Sequence, residues 1–379
     1  MDTKAEYLIS EDDFLVILKT LLKESFVDKI IGAEEKVSRK TGEVDRFTVS
    51  PKAWEKPDDF ETYPLSNLIS YGYARTDSAA KFLHSTLKGA KGEKVALVAR
   101  PCDTRALIEL QKIRQINLEN LFIIGMDDKG IATNVSRQLR SHKDLDTSKI
   151  VKEKIGDNGL IFQFEDGKTQ EVEIAVSENC SRCIRKTPVI ADLSVSDIGI
   201  PIEDRNYILK VHSDKGIELL DKSGLKLKDL PKDIKKTHEE KINTIHEEAK
   251  VKREKDLEEW NNLPQEEKIE ALKKCTMCGM CIRACPVCYC VDCILQKKRK
   301  DKKIDNVTYQ LTRIAHDADR CVECGSCFNN CPMNLPLSLI FQSLNEQFKE
   351  TFQYTPGESV EDIPFRSAKA IKQMELEKT

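Results

Sequence analysis

Apolar positions recur with a helical period at Phe14, Leu15, Ile17, Leu18, Leu21 and Leu22, directly after Ser10-Glu11-Asp12-Asp13, which has the form of a capping box. An amphipathic helix is expected there. Lys29-Ile30-Ile31-Gly32 and Phe47-Thr48-Val49 read as short strands around a polar Lys40-Thr41-Gly42 turn, and Trp54 to Pro64 has the Pro and Asp content of a surface loop. A second helical pattern runs from Ser78 to Leu87. The most regular stretch follows: Lys94 to Ala99 as a buried-type strand, Thr104 to Ile113 as a helix and Leu121 to Met126 as another apolar strand, together a βαβ unit.

Residues 131 to 176 are polar, with a hairpin expected over Glu165-Asp166-Gly167-Lys168 between Leu160 to Phe164 and Glu171 to Val176. Tyr207 to His212 and Ile217 to Leu220 read as strands joined by a turn at Asp214-Lys215-Gly216, closing an α/β domain over 1–228. Lys and Glu then dominate, with Ile242, Ile245, Ala249, Leu257 and Trp260 as sparse apolar positions. Heptads are not sustained, so 229–264 is expected to be a charged, solvated linking helix. Pro264 opens a short helix, a small cysteine-rich domain occupies 265–345, and Leu337, Ile340, Phe341, Leu344 and Phe348 form a closing amphipathic helix. The tail, 346–379, ends in a stretch from Thr355 to Thr379 that reads as partly ordered and able to wrap a partner.

Length and charge narrow the function. A chain of 379 residues supports two or three domains with their own cores. Sixty-one Lys and Arg against 64 Asp and Glu leave a formal charge of -3, which provides no global field for gripping nucleic acid. The longest apolar runs, Val95 to Ala99 and Leu121 to Met126, are far short of the roughly 18 residues a membrane helix needs, so a membrane is reached only through a partner. Fourteen cysteines stand in short C-x2-C spacings suited to metals, and the N-terminus has no signal-peptide pattern; the expected compartment is the reducing cytoplasm.

The cysteines carry the chemistry. Cys275, Cys278, Cys281, Cys285, Pro286 and Cys321, Cys324, Cys327, Cys331, Pro332 each read C-x2-C-x2-C-x3-C-P, the spacing of a bacterial-type 2x[4Fe-4S] ferredoxin domain of the α+β class. The fourth Cys of each run ligates the other run's cluster in that arrangement. One 4Fe-4S cluster is therefore assigned to Cys275, Cys278, Cys281 and Cys331, and the other to Cys321, Cys324, Cys327 and Cys285. Tetrahedral zinc has no use for the third Cys and the Cys-Pro of each run. Setting Cys102 aside, five thiols remain: Cys180, Cys183, Cys288, Cys290 and Cys293. The economical arrangement pairs Cys180 and Cys183 with Cys290 and Cys293 around a third site, with Cys288 as the substitute; a 4Fe-4S cluster and a structural zinc both suit it. Either metal would clamp the cysteine-rich domain onto the α/β domain.

Between the first strand of the βαβ unit and its helix lies Arg100-Pro101-Cys102-Asp103-Thr104. Ligands of open α/β sheets bind outside the carboxyl ends of strands, so a flavin or phosphate edge fits there. Ordinary helix capping by Asp103 or Thr104 is the plain alternative. No Ser-His-Asp set or paired carboxylate points to hydrolysis, and His84, His212 and His316 read as structural residues.

Val95 to Leu107 with its Arg100-Pro101-Cys102-Asp103 turn, Cys180-x2-Cys183 followed by Ala191-Asp192-Leu193-Ser194-x2-Asp197-Ile198-Gly199, and Asp214-Lys215-Gly216-Ile217-Glu218-Leu219-Leu220 resemble the coenzyme F420 hydrogenase/dehydrogenase beta subunit family. The resemblance spans most of residues 65 to 335. It implies a mixed-sheet α/β flavin-binding domain, FAD beside an iron-sulfur cluster, and electron transfer between coenzyme F420 and further clusters. It places Arg100, Pro101, Cys102, Asp103 and Thr104 near the flavin, and matches Asp192, Ser194 and Asp197 to the segment after the cluster cysteines. Arg100 and Asp103 depart from a Gly-x-Pro-Cys-Gln pattern, and Tyr71-Gly72-Tyr73-Ala74-Arg75-Thr76-Asp77-Ser78 stands in place of a Gly-rich stretch. These departures bring the chain closer to the branch associated with formate dehydrogenase and heterodisulfide reductase. The implied protein is an electron-transfer subunit linking F420, or a catalytic formate dehydrogenase or hydrogenase subunit, to a heterodisulfide-reductase-like partner. The reading from a different class is a non-catalytic ferredoxin-type adaptor with a flavin-free docking domain.

Overall fold

Two reciprocal hydrogen bonds start the first helix. The Ser10 hydroxyl accepts from the Asp13 N–H at 3.1 Å, and the Asp13 carboxylate accepts from the Ser10 N–H at 2.8 Å. The helix Glu11–Lys23 then buries Phe14, Ile17, Leu18 and Leu21. The computed structural model describes residues 1–37, 42, 44–74 and 76–366. Lys40 and Thr41 of the expected turn, Arg75 and the tail beyond 366 lie outside the described residues.

The strands are β1 (Ala5–Ser10), β2 (Lys29–Val37), β3 (Val44–Trp54), β4 (Val95–Ala99), β5 (Leu121–Met126), β6 (Ile150–Ile155), β7 (Leu160–Phe164), β8 (Thr169–Val172), β9 (Leu193–Ser196), β10 (Asn206–Val211) and β11 (Lys228–Asp229). Eight form one mixed sheet in the order β11-β1-β10-β9-β5-β4-β2-β3. Its centre, β2-β4-β5-β9, is parallel, and antiparallel strands flank it on both sides. β4 and β5 are buried at every position, as near-continuous apolar strands covered on both faces must be. The βαβ unit is thus present, its helix Pro101–Lys112 opening with Pro101 at the first turn. β6, β7 and β8 form a second, antiparallel sheet that includes the expected hairpin.

One expected strand is a helix. Ile217 to Leu220 belongs to the helix Asp214–Ser223, and Asp214-Lys215-Gly216 is its first turn. The Ser213 hydroxyl accepts from the Gly216 N–H at 3.1 Å and Gly224 ends the helix with φ 68°. Leu219 and Leu220 are buried while Ile217 is exposed, a helical spacing that a four-residue apolar run cannot distinguish from a strand.

The charged stretch after β11 is a single helix, Lys232–Asn262, with one buried stripe that includes His238, Ala249, Arg253 and Leu257. Its two polar members are held by specific partners. His238 lies over the turn after β9, its Nδ1 2.9 Å from the Ile198 carbonyl, and a Cβ on Gly199 (φ 88°) would come within 3.0 Å of the His238 backbone. Arg253 reaches into the cysteine-rich region, donating to both carboxylate oxygens of Glu323 at 2.7 and 3.1 Å and to Glu346 at 2.7 Å. The helix Leu337–Phe352 closes the fold. The chain then returns to the βαβ helix, where Arg105 donates to the Pro356 carbonyl at 2.7 Å and Glu109 accepts from the Gly357 N–H at 2.7 Å.

Candidate functional site

The two cysteine runs repeat one backbone conformation. Met277 (φ 51°) and Gly279 (φ 79°) flank Cys278, and Glu323 (φ 56°) and Gly325 (φ 71°) flank Cys324 in the same left-handed region. Each turn leads into a short helix, Met280–Ala284 and Ser326–Asn329, and the two helices pack together. Left-handed turns of this kind gather backbone N–H groups into concavities of the sort found around anions and iron-sulfur sites. The Met277 N–H already points at Cys275 Sγ, 3.2 Å away.

Cys285, Cys321, Cys324 and Cys327 line one cavity, joined by Val287, Arg313 and Phe341. These are the four thiols assigned from spacing to a single cluster, one taken from the first run and three from the second. Burial raises the thiols of Cys324 and Cys327, to about 11 and about 12. Of the other assigned set, Cys281 is buried, Cys275 and Cys331 are half-buried and Cys278 is exposed. Cys275, Cys281 and Cys331 belong to the apolar cluster of Leu272, Leu335, Leu337 and Phe341.

A second cavity, about 830 Å³, lies at the carboxyl ends of β4 and β5, where an open sheet offers its ligand crevice. One wall is Gly72, Tyr73 and Ala74, hung on β3 by the Ala74 N–H donating to the Val49 carbonyl at 2.8 Å. Gly72 needs to be glycine, because its φ is 63° and a Cβ would lie 3.2 Å from Ile131 and 3.6 Å from the Arg100 guanidinium. Lys36, Arg137 and Arg140 bring positive charge to the same cleft. The far wall contains Cys324, so the cleft and the four-thiol cavity share a cysteine.

Arg100, Cys102 and Asp103 of the nominated turn line this cleft. Arg100 donates to the carbonyls of Leu68, Ile69 and Gly130 at 3.3, 3.1 and 2.8 Å and pairs with Asp128, so it braces the loops of the cleft. Asp103 accepts from the Ala80 N–H at 3.2 Å, and burial pushes its carboxyl up. Burial also holds the Cys102 thiol well above its ordinary range. Pro101 is the first residue of its helix, and the Thr104 hydroxyl donates to the Pro101 carbonyl at 2.9 Å. Asp192, Ser194 and Asp197 have partners elsewhere. Asp192 accepts from the Ile123 N–H at 2.9 Å and the Ser213 hydroxyl at 2.6 Å, Ser194 lies 2.8 Å from His212 Nε2, and Asp197 faces Lys154 at 4.0 Å. Asp192 and Ser194 tie β9 to β5 and to the end of β10, Asp197 faces β6, and none of the three lines the cleft.

The remaining thiols are divided between cavities. Cys180 lines the cleft beside Cys324, with its thiol raised to about 11 by burial, and Cys183 approaches the Arg185 carbonyl at 3.5 Å. Cys290 and Cys293 line a separate cavity with Cys288. Among the described residues, the group whose ligand atoms lie close enough together to share an ion is Cys285, Cys288 and Asp317. Hydrogen bonds also dock the cysteine-rich region on the α/β part. Lys81 donates to the carbonyls of Cys285 and Cys288 at 3.2 and 3.0 Å, Arg105 to that of Val322 at 3.0 Å and Asn179 to that of Glu323 at 2.9 Å. Sequence reasoning missed Lys81, Arg105 and Asn179; the first two sit on predicted helices and the third just before Cys180, with nothing local to mark a distant carbonyl partner.

Comparison with known proteins decides the family. The F420-dependent formate dehydrogenase subunit beta of Methanocaldococcus jannaschii is 32% identical over 285 residues, covering 70% of this chain and 74% of its own. The chain belongs to the coenzyme F420 hydrogenase/dehydrogenase beta subunit family. The F420-dependent formate dehydrogenase 1 subunit beta of Methanococcus maripaludis is likewise 32% identical, over 72% of this chain and 75% of its own. The family pattern for the C terminus of the coenzyme F420 hydrogenase/dehydrogenase beta subunit matches residues 92–229, from the strand before Cys102 to β11. A chain of the xenon-derivatised F420-reducing NiFe hydrogenase complex of Methanosarcina barkeri covers 68% of this chain and 92% of its own, at 16% identity and a TM-score of 0.47. Among the described residues, no helix of this family member is long and apolar enough to cross a membrane.

Proposed function

We propose that this protein is the electron-transfer beta subunit of an F420-dependent oxidoreductase, with a flavin in the cleft and two 4Fe-4S clusters on the ferredoxin-type runs. The observation that carries the reading is the shared Cys324. A cleft of about 830 Å³, within the range for a cofactor site, opens directly on the thiols nominated for a cluster. The donor set fits such a cluster: four cysteines converge on one cavity behind a left-handed turn, and iron would hold as thiolates the sulfurs that burial alone keeps protonated.

FAD in the cleft would supply the exchange between two-electron hydride chemistry and one-electron cluster chemistry. Lys36, Arg137 and Arg140 are placed to neutralise phosphates, while Gly72 to Ala74 and the Arg100 to Asp103 turn form the wall for a ring system. Burial shifts Asp103 and Cys102 towards their neutral forms at the wall where a hydride carrier would approach. The substrate is coenzyme F420, and the partners are a catalytic formate dehydrogenase or hydrogenase subunit and a heterodisulfide-reductase-like acceptor. The cysteine-rich region, 265–345, acts as the conductor, and the α/β part, 1–228, as the hydride-facing domain.

Oxygen-free purification should yield about one FAD and about eight iron atoms per chain for two clusters, and about twelve if Cys180, Cys183, Cys290 and Cys293 also hold one. Mixing with reduced F420 should bleach the flavin faster than mixing with NADH. A chain with eight iron and no flavin would instead be the ferredoxin-type adaptor, and zinc in the four-thiol cavity would defeat both readings.

A further inference from the structure

The insert between the cysteine runs contains the helix Asn306–Asp317, and two of its buried polar side chains, Gln310 and Arg313, reach the cysteine runs. Gln310 donates through Nε2 to Cys275 Sγ at 3.0 Å and stands 4.0 Å from Cys281 Sγ. Arg313, one turn further along, is 2% exposed. Its Nη2 donates to the Cys281 carbonyl at 3.2 Å and lies 3.7 Å from the Asp317 carboxylate, and its guanidinium sits over Phe341 with 5.2 Å between guanidinium carbon and ring centre. Nε and Nη1 have no hydrogen-bond partner in the protein. A buried donor left unpaired is costly, and more so on a charged group.

Those two donors belong to a side chain that lines the cavity of Cys285, Cys321, Cys324 and Cys327. Burial alone would push the guanidinium down. Arginine nevertheless stays protonated in proteins, so Arg313 is a fixed cation at this cavity. Phe341 on one side and the Cys281 carbonyl on another limit how far the head group can turn away.

We propose that Arg313 donates its Nε and Nη1 hydrogens to sulfur of the cluster held by Cys285, Cys321, Cys324 and Cys327, and so raises that cluster's reduction potential. This rests on the two-cluster reading. An added electron makes the cluster more negative, and a charge-assisted hydrogen bond favours the more negative state. The donor to the other cluster's Cys275 is the neutral amide of Gln310, so the helix delivers unequal electrostatics to two chemically similar centres. Arg313 is a positioning and tuning residue: it reaches the electrons through the cluster.

The test is an EPR-monitored redox titration of the full chain, loaded anaerobically, as wild type, R313Q and R313K. Wild type should contain about eight iron atoms; a chain without them would overturn the two-cluster reading itself, before any variant is considered. In R313Q one cluster should show about a tenfold lower reduced-to-oxidised ratio at fixed potential, about 59 mV for one electron, with the other cluster unmoved. R313K, which keeps the charge without the fork, should shift less. Two unmoved potentials in an iron-replete R313Q overturn the proposal. Wild type grown with 15N-arginine provides a readout independent of any variant: pulsed EPR should detect nitrogen coupling to one reduced cluster, and its absence from both overturns the proposal as well.

Discussion

The two cysteine runs share one spacing and one backbone conformation but sit in opposite surroundings. Cys278 of the first is exposed, beside a left-handed Met277 whose carbonyl accepts from Arg299 at 3.0 Å. Cys324 of the second forms part of the cofactor-sized cleft, beside a left-handed Glu323 held by Arg253 in a buried two-point ion pair. Identical ligand spacing therefore defines a pair of like centres, and what packs around each assigns them different tasks. On the proposed function, the second run faces the hydride donor and the first faces the outside.

Removing one ligand from each run gives the largest contrast. C324S and C278S should each lose about four iron atoms. After mixing with reduced F420, the cluster remaining in C278S should still be reduced at the wild-type rate, whereas the cluster remaining in C324S should be reduced far more slowly, both followed by freeze-quench EPR. Equal rates would abolish the distinction between an inner and an outer run.

The anchors come next. E323A leaves Arg253 buried beside a vacancy and should cost about 3–5 kcal/mol in urea unfolding. M277A, at the matching position, should cost far less, because Met277 makes no comparable pairing. In a third measurement, a chelator with ferricyanide should remove iron in two phases, the faster one belonging to the cluster of exposed Cys278 and absent from C278S.

The smallest contrast concerns the paired glycines. Alanine at either position meets the left-handed penalty of about 1–2 kcal/mol. At Gly325 the new Cβ would also lie 2.4 to 2.6 Å from Cγ, Nδ2 and Cβ of Asn179, whose Cβ cannot swing aside. At Gly279 the nearest atom is the far end of Gln296. G325A should therefore lower the melting temperature more than G279A, and a reversal would mean that Asn179 does not pack on the second run as tightly as described.

What could be read in the chain beforehand follows the range of the interactions. The βαβ unit and the first helix were legible because their signals are local: apolar runs in β4 and β5, and a capping box at Ser10. Ligand spacing likewise nominated Cys285, Cys321, Cys324 and Cys327 as one set, and these four line one cavity. The helix at Ile217 was misread because four apolar-rich residues carry too little periodicity. Asp192 was nominated near the site, and its carboxylate accepts from Ile123 and Ser213; sequence does not separate an Asp with such partners from one that meets a ligand. Gly72 to Ala74, noted for lacking a Gly-rich pattern, nevertheless form a wall of the cleft. The requirement is met by one glycine at one left-handed position rather than by composition.

The helix Lys232–Asn262 has a consequence for maturation. Its contact with the cysteine-rich region depends on Arg253, and the partner, Glu323, stands between two nominated cluster ligands, Cys321 and Cys324. Glu323 is buried there in a left-handed conformation. Filling the cluster would thus be felt about 70 residues upstream, as docking of the helix. On the proposed clusters, an iron-free chain should expose the far half of that helix to proteases, while His238 keeps its near half on the sheet.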